Sequence, residues 1–178
     1  MYTWPRVIRE SLLREVEKIE LEDLEKQLDT IRDKLKGKID PYEPANIIDD
    51  ERKERQSTGI YVIDASVYAP LVATCGRDLV RAMRRLEFAV LDLTVYEVCN
   101  AFWREYRKLH KIIEGEAIQA CIISKTLTRY TKLYRVIDLN IGEAMKIAVE
   151  SNIAIYDSSY IALAHRLGAT LSSEDQDI

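Results

Sequence analysis

Four acidic residues stand beside short apolar runs, where a strand or a helix would direct their side chains into one cleft. They are Asp64, Glu97, Asp157 and Asp175. A carboxylate beside buried apolar residues must be paired or bound to a cation, because burying an unpaired charge is costly. Carboxylate oxygens are preferred ligands of Mg²⁺ and Mn²⁺. The four acids therefore predict a site for one or two of these ions.

The chemistry expected at such a site is hydrolysis of a nucleic-acid backbone. Two ions about 3.5–4 Å apart can hold the attacking and the leaving oxygen of a phosphodiester, and they lower the pKa of a bound water. Each aspartate taken singly could instead only cap a helix, as Asp64 before Ser66 or Asp157 before Ser158 would do. Capping alone does not explain four acids in register.

The positioning elements are predicted from alternating apolar runs and helical patterns in residues 58–178. Strands are predicted at 60–64, 88–91, 134–137, 153–156 and 170–172, with helices between them. This alternation indicates an α/β fold with a parallel sheet and helices on both faces. The carboxyl ends of parallel strands share one edge, where ligands bind. Three of the acids follow predicted strands and Glu97 lies in the first turn of the next helix, so all four should meet there.

Residues 1–57 form a separate, strongly charged helical arm. Its apolar residues recur at steps of three to five: Val7, Leu12, Val16, Ile19, Leu24, Leu28, Ile31 and Leu35. That stripe predicts one amphipathic helix, or two joined near Glu20. A lone helix cannot bury its stripe, so the arm should pack on the rest of the chain, on a second copy or on another protein. A homodimer is expected for this reason.

Composition limits the partners and the location. The net charge of −4 over 178 residues provides no overall basic field, so nucleic acid must be held by a local patch or through metal ions. No segment has the length of a membrane span or the apolar core of a signal peptide, and we expect a cytoplasmic protein. Cys75, Cys99 and Cys121 are widely spaced and are expected to be free thiols.

Three basic groups are candidates for local contacts. Four arginines share one predicted helix and are candidates for RNA phosphate contacts, although such a run is usually a solvated face: Arg77, Arg81, Arg84 and Arg85. A second candidate group for RNA contacts comprises Tyr130, Tyr134, Arg129, Lys132 and Arg135. Arg52, Lys53 and Arg55 form a short cationic run just before the first strand.

The segments that hold the acids resemble the core motifs of PIN-domain nucleases. They are Val62–Ser66, Thr94–Trp103 and Tyr156–Ala164, and Ser173 two residues before Asp175 is similar to the last motif of that family. The likeness spans about residues 60–178, and it is closest to the VapC toxins of prokaryotic toxin–antitoxin pairs.

This resemblance implies a small α/β/α sandwich with a mostly parallel sheet, and Mg²⁺- or Mn²⁺-dependent endoribonuclease activity on RNA. By position, the four acids match the metal-binding acids of the family. Ser66 and Asn100 match polar residues that support the site, and Ser173 matches the Thr or Ser of the final motif.

The arm resembles the C-terminal part of a cognate antitoxin, with Val7–Leu12 similar to the second helix of a ribbon-helix-helix module. In such pairs a basic antitoxin side chain often neutralises the acidic site, which makes Arg52, Lys53 and Arg55 candidates for an inhibitory tail. A separate antitoxin, or exchange of the arm between protomers, is the partner this implies.

Two other readings stay open: a masked or inactive PIN module acting in regulation or assembly, and a PIN nuclease of RNA processing. A phosphatase is less favoured, because no second aspartate occupies the Ser66 position.

Overall fold

The computed structural model describes residues 6–39 and 59–174. In chain order the elements are α1 (Arg6–Leu35), β1 (Ile60–Ile63), α2 (Ala65–Thr74), α3 (Arg77–Arg85), β2 (Glu87–Leu91), α4 (Asp92–Arg107), α5 (Glu114–Leu127), β3 (Lys132–Tyr134), α6 (Ile141–Ser151), α7 (Ile155–Leu167) and β4 (Thr170–Ser172). Short 3₁₀ turns lie at Thr128–Tyr130 and Val136–Asp138. Within the described ranges no helix has the length and apolar character to cross a membrane.

The sheet has four parallel strands in the order β3-β2-β1-β4. In the central strand, Val62 pairs with Ala89 of β2 and with Leu171 of β4. Because every strand runs the same way, all four carboxyl ends lie along one edge. This arrangement confirms the predicted α/β class and the expected sandwich.

Each face of the sheet is covered by its own helices. Ile63, Phe88 and Val90 point into the larger core, which α1 to α5 complete. Val62 and Ala89 point to the opposite face and pack on α7, which in turn packs against α6. Alternate strand residues are thus buried on both sides, as expected for a parallel sheet between two helical layers.

Helix α1 is one continuous helix whose second half is part of the larger core. Its buried residues recur at helical spacing: Leu24, Leu28, Ile31 and Leu35. They pack on α2, α3 and α5. The apolar residues of the first half are about half exposed: Leu12, Leu13, Val16 and Ile19. The predicted stripe therefore exists, but only its C-terminal half is covered within the chain.

Polar contacts fix α1 in place. The Arg77 side chain and backbone N–H both donate to Asp29, and this lowers the pKa of the Asp29 carboxyl. Gly76, which precedes α3 with φ 59°, lies so close that a Cβ there would meet the side chains of Arg32 and Asp29. Lys38 forms an ion pair with Glu116 at the start of α5.

Two predicted strands differ from the structure. The predicted strand at 153–156 is instead a tight link: Asn152 ends α6 in the left-handed conformation, and α7 begins at Ile155. The strand predicted at 134–137 lies earlier, because β3 ends at Tyr134 and a 3₁₀ turn follows. Asp157 consequently lies in the first turn of a helix rather than at a strand end.

The expectation of three free cysteines was wrong. Cys99 of α4 and Cys121 of α5 form a disulfide across the antiparallel helix pair, while Cys75 is free. A separation of 22 residues has no motif spacing, so only the packing of α4 on α5 brings the two thiols together.

Candidate active site

Asp64 occupies the junction of β1 and α2, at the carboxyl edge of the sheet. Its Oδ1 accepts hydrogen bonds from the backbone N–H of Ser66 (3.0 Å) and of Val67 (3.2 Å), and from the Ser66 hydroxyl (2.6 Å). Its Oδ2 accepts from the hydroxyl of Ser173 at 2.5 Å. Asp64 is therefore a helix N-cap as well as a site candidate, and with 4% exposure it is held in a single orientation.

The two predicted supporting serines connect separate elements around Asp64. The Ser66 hydroxyl at the start of α2 lies 3.5 Å from the Ser173 hydroxyl, which follows β4. The backbone N–H of Glu174 also donates to the Ser66 hydroxyl at 2.8 Å. The end of β4 is thus tied at Ser173 and Glu174 to the β1–α2 junction.

Glu97 lies in the second turn of α4, because that helix begins at Asp92 rather than near Thr94. Its Oε2 accepts a hydrogen bond of 2.5 Å from the Tyr160 hydroxyl. The same hydroxyl lies 2.9 Å from the hydroxyl of Thr94, which is fully buried. The glutamate is therefore anchored from below by two buried side chains on α4 and α7.

Three carboxylates influence one another at this edge. The pKa of Glu97 is raised mainly by burial, and the negative charges of Asp157 and Asp64 raise it further, while the Tyr160 hydrogen bond opposes the shift. Asp157 is half-buried in the first turn of α7, one helical turn before Tyr160. The structure thus brings Asp64, Glu97 and Asp157 into one cluster, and both charges that shift Glu97 are negative.

The three acids are suitable ligands for a divalent cation, but their side chains are not drawn together around a common point. Carboxylate oxygens are hard donors, and their mutual repulsion would be relieved by a divalent cation. Within residues 6–39 and 59–174, however, no three Asp, Glu, His or Cys side chains are already drawn together tightly enough to hold an ion. Asp175, the fourth predicted acid, lies outside the described residues.

Asn100 is exposed on α4 three residues after Glu97, so it lies on the same face of that helix. The predicted arginines lie away from the acids. Arg77 is bound to Asp29 and Arg81 to Asp78. Arg84 and Arg85 end α3 just before β2 begins, at the opposite edge of the sheet, so the α3 arginines do not line the acidic cluster. Residues 52, 53 and 55 lie outside the described ranges.

Sequence reasoning assigned no role to Tyr160, the buried partner of Glu97. The available signal was its position three residues after Asp157, which places both on one face of a helix. Thr94, the first residue of the Thr94–Trp103 motif, is the second partner of the Tyr160 hydroxyl. Neither role can be assigned until α4 and α7 are known to meet.

The chain is similar to known nucleases in sequence. The chain is 30% identical over 119 residues to Exonuclease VapC9 of Pyrobaculum aerophilum, covering 66% of this chain and 82% of that protein. It is 28% identical over 125 residues to Ribonuclease VapC3 of the same organism, with 66% and 90% covered. The crystal structure of PAE2754 from Pyrobaculum aerophilum superposes with a TM-score of 0.55 at 28% identity, covering 67% of this chain and 77% of that one. No protein-family model matches the sequence.

Proposed function

Because this chain belongs to the VapC family of PIN-domain nucleases, we propose that it is a metal-dependent endoribonuclease and the toxin of a toxin–antitoxin system. The observation that supports this most directly is that three acids from separate elements meet at one edge, where burial, and then the charges of Asp157 and Asp64, raise the pKa of Glu97. A carboxyl perturbed by burial and by neighbouring charges is typical of functional sites.

The residues proposed to hold Mg²⁺ or Mn²⁺ are Asp64, Glu97, Asp157 and Asp175. When bound, one or two such ions supply positive charge that stabilises the phosphodiester transition state and activates the attacking water. Ser66 and Ser173 orient Asp64, and Tyr160 orients Glu97. Protons and cations compete for Glu97, so activity should decline as the pH falls through its raised pKa.

RNA cleavage by single-residue variants tests the proposal. We expect wild-type protein to cleave RNA with Mg²⁺ or Mn²⁺ and to stop in EDTA, and we expect Asp64→Asn and Asp157→Asn to lose at least ~100-fold in rate. Asp78→Asn is the matched control, because Asp78 is an exposed acid paired with Arg81 on α3. Cleavage that persists in EDTA, or equal rates in the site variants and the control, would refute the metal-dependent mechanism.

A circular RNA decides between internal and terminal cleavage, since one relative is named an exonuclease and the other a ribonuclease. An endoribonuclease linearises the circle, whereas an exonuclease leaves it intact.

Expression in growing cells tests the toxin role. We expect the wild type to arrest growth and Asp64→Asn not to do so. Cleavage of one cellular RNA precursor without arrest would favour RNA processing instead.

Metal binding can be measured without cleavage. A cation that binds only the folded state raises the unfolding temperature as its concentration rises. We expect Mn²⁺ to do so for the wild type and the Asp78→Asn control, and to do so much less for Asp64→Asn. An identical rise in all three proteins would place the ion elsewhere.

We propose that helix α1 stabilises the nuclease domain and does not mask its acids. Its buried half packs on α2, α3 and α5, Asp29 of the helix pairs with Arg77, and Lys38 just after the helix pairs with Glu116. Inhibition by the basic tail is tested by replacing Arg52, Lys53 and Arg55 with glutamine while keeping α1. A higher cleavage rate in this variant would support inhibition; an unchanged rate would exclude it.

Homodimerisation remains a prediction. The half-exposed apolar residues in the first half of α1, with Leu12 and Val16 among them, are the surface on which it rests. The molar mass in solution, compared between the wild type and a Leu12→Glu/Val16→Glu variant, tests it. If the wild type is monomeric in solution, both the predicted homodimer and the predicted exchange of arms between protomers are refuted.

A further inference from the structure

Two adjoining clefts lie at the edge of the sheet opposite the acids. The first, of about 580 Å³, is formed by α1 with Arg84, Arg129 and Tyr130. The second, of about 460 Å³, lies before the starts of β2 and β3 and shares those three residues. Six basic side chains line the pair, which we call the distal basic groove: Arg14, Lys18, Arg84, Arg85, Arg129 and Lys132.

The groove is separate from the acidic cluster because of the strand direction. Arg84 and Arg85 immediately precede β2, and Arg129 precedes β3, so all three lie at the amino ends of strands. Asp64 lies at a carboxyl end. The five residues of β2 span about 17 Å, so at least that distance separates the two edges.

The groove is locally positive on a negatively charged protein. Its acidic members are Glu17, Glu20 and Glu87. Glu20 pairs with Arg129 at 3.5 Å, and Glu87 pairs with Lys132. Six basic residues minus three acidic ones leave a net charge of +3, against −4 for the chain.

The two arginines at the end of α3 are available to bind an anion. Arg84 and Arg85 are exposed and form no ion pair within the part of the chain that the structure describes. Tyr130, a half-buried aromatic residue, lines both clefts together with Arg84 and Arg129. Cationic side chains beside an aromatic ring are the usual means of holding single-stranded nucleic acid without base recognition.

We propose that the distal basic groove binds the phosphate backbone of single-stranded RNA at nucleotides remote from the bond that is cleaved. This inference rests on the proposed ribonuclease function. Arg14 and Lys18 belong to α1, so the helical arm completes a binding surface that the nuclease domain alone would not have. RNA long enough to reach both edges would then bind more tightly than RNA that fills the acidic site alone.

The test measures RNA binding without cleavage. Full-length protein carrying Asp64→Asn is titrated in EDTA with a single-stranded RNA of about 30 nucleotides and with one of about 6 nucleotides. Adding Arg84→Glu or Arg85→Glu should weaken binding of the longer RNA about 5- to 10-fold and reduce the salt dependence of log affinity by about one. The shorter RNA is the length control: without a cation the acidic edge repels it, so it should bind weakly whether or not Arg84 or Arg85 is replaced.

Arg107→Glu is the matched control, because Arg107 is an exposed arginine at the end of α4 and lines neither cleft. If Arg84→Glu, Arg85→Glu and Arg107→Glu all bind the longer RNA with equal affinity, the inference is wrong. It is also wrong if the protein that carries only Asp64→Asn does not bind RNA. The cleavage assay tests the proposed function separately. If the wild type cleaves RNA but the Arg84→Glu and Arg85→Glu substitutions do not weaken RNA binding, the ribonuclease function stands and the proposed role of the groove is refuted.

Discussion

The Tyr160 hydroxyl of α7 donates a 2.5 Å hydrogen bond to Oε2 of Glu97 on α4. The tyrosine is 1% exposed, and its own pKa is raised strongly, chiefly by burial, so this hydroxyl stays protonated as a donor. The bond couples the two helices that bring Glu97 and Asp157 to the carboxyl edge of the sheet. The position of Glu97 and the packing of α4 with α7 therefore depend on the same buried contact.

Replacing Tyr160 with phenylalanine should alter both properties. The Thr94 hydroxyl loses its buried partner, which costs about 1–3 kcal/mol in unfolding free energy. The pKa of Glu97 should rise further, because the Tyr160 hydrogen bond is what lowers it. The acid limb of the pH–rate profile for RNA cleavage should therefore move to higher pH.

Tyr68→Phe is the control for that experiment. Tyr68 is also fully buried, but its hydroxyl donates at 3.0 Å to the backbone carbonyl of Ser124, away from the acids. This variant should lose stability in denaturant titrations without any change in the pH–rate profile. If the two variants shift the profile equally, Tyr160 has no specific effect on Glu97.

Glu97→Gln should stabilise the protein near neutral pH while it abolishes activity. The pKa of Glu97 in the folded protein is raised above its value of about 4.5 in the unfolded chain. Proton binding therefore favours the folded state at pH values below 4.5, and this contribution is lost as the pH rises through the folded-state pKa. Glutamine removes the repulsion by Asp64 and Asp157 and can still accept from Tyr160. Unfolding temperatures in EDTA should therefore be higher for the variant at pH 7, with the difference vanishing toward pH 4. A variant less stable than wild type at pH 7 would contradict the assigned shift.

Much of this site could be predicted from the sequence because strand ends are local signals. Asp64 follows an apolar run that is a real strand. Glu97 lies in the second turn of the helix that follows the next strand, one turn later than expected. Asp157 reached the same edge for a different reason than predicted. The run Ile153–Tyr156 is apolar in either conformation, and periodicity over four residues cannot separate a strand from the first turn of a helix.

Other features depend on contacts between distant segments. The Cys99–Cys121 disulfide and the Thr94–Tyr160–Glu97 hydrogen bonds arise from helix packing, which no local spacing encodes. The arginines of α3 were predicted as candidates for RNA phosphate contacts from their residue types, with no position relative to the acids. Helix α3 ends just before β2 begins, so its last arginines lie at the edge formed by the amino ends of the strands. This position can be inferred only once the start of β2 is known.

Helix α1 offers a matched pair of leucines for testing how the arm contributes to stability. Leu28 is 0% exposed in the core beneath α2, α3 and α5, whereas Leu12 is 55% exposed on the same helix. Leu28→Ala should lower the unfolding free energy by about 2–5 kcal/mol, because it removes buried methyl groups and leaves a cavity. Leu12→Ala should change it by less than about 0.5 kcal/mol in dilute, monomeric protein. Similar losses in both variants would mean that the two halves of α1 are equally covered.

The disulfide gives a stability prediction that separates α4–α5 packing from the acidic cluster. Closing a loop of 22 residues restricts the unfolded chain by about 3 kcal/mol in the chain-entropy description. Cys99→Ser/Cys121→Ser, or wild-type protein in reductant, should therefore unfold at lower denaturant concentration. Cys75→Ser is the control, since its thiol is free.

Glu97 lies two residues before Cys99 on the same helix, but its side chain is held by Tyr160 rather than by the disulfide. Cleavage rates measured well below the unfolding midpoint should consequently stay within about twofold of wild type. A large loss of activity in the still-folded double variant would show that the cross-link also positions Glu97.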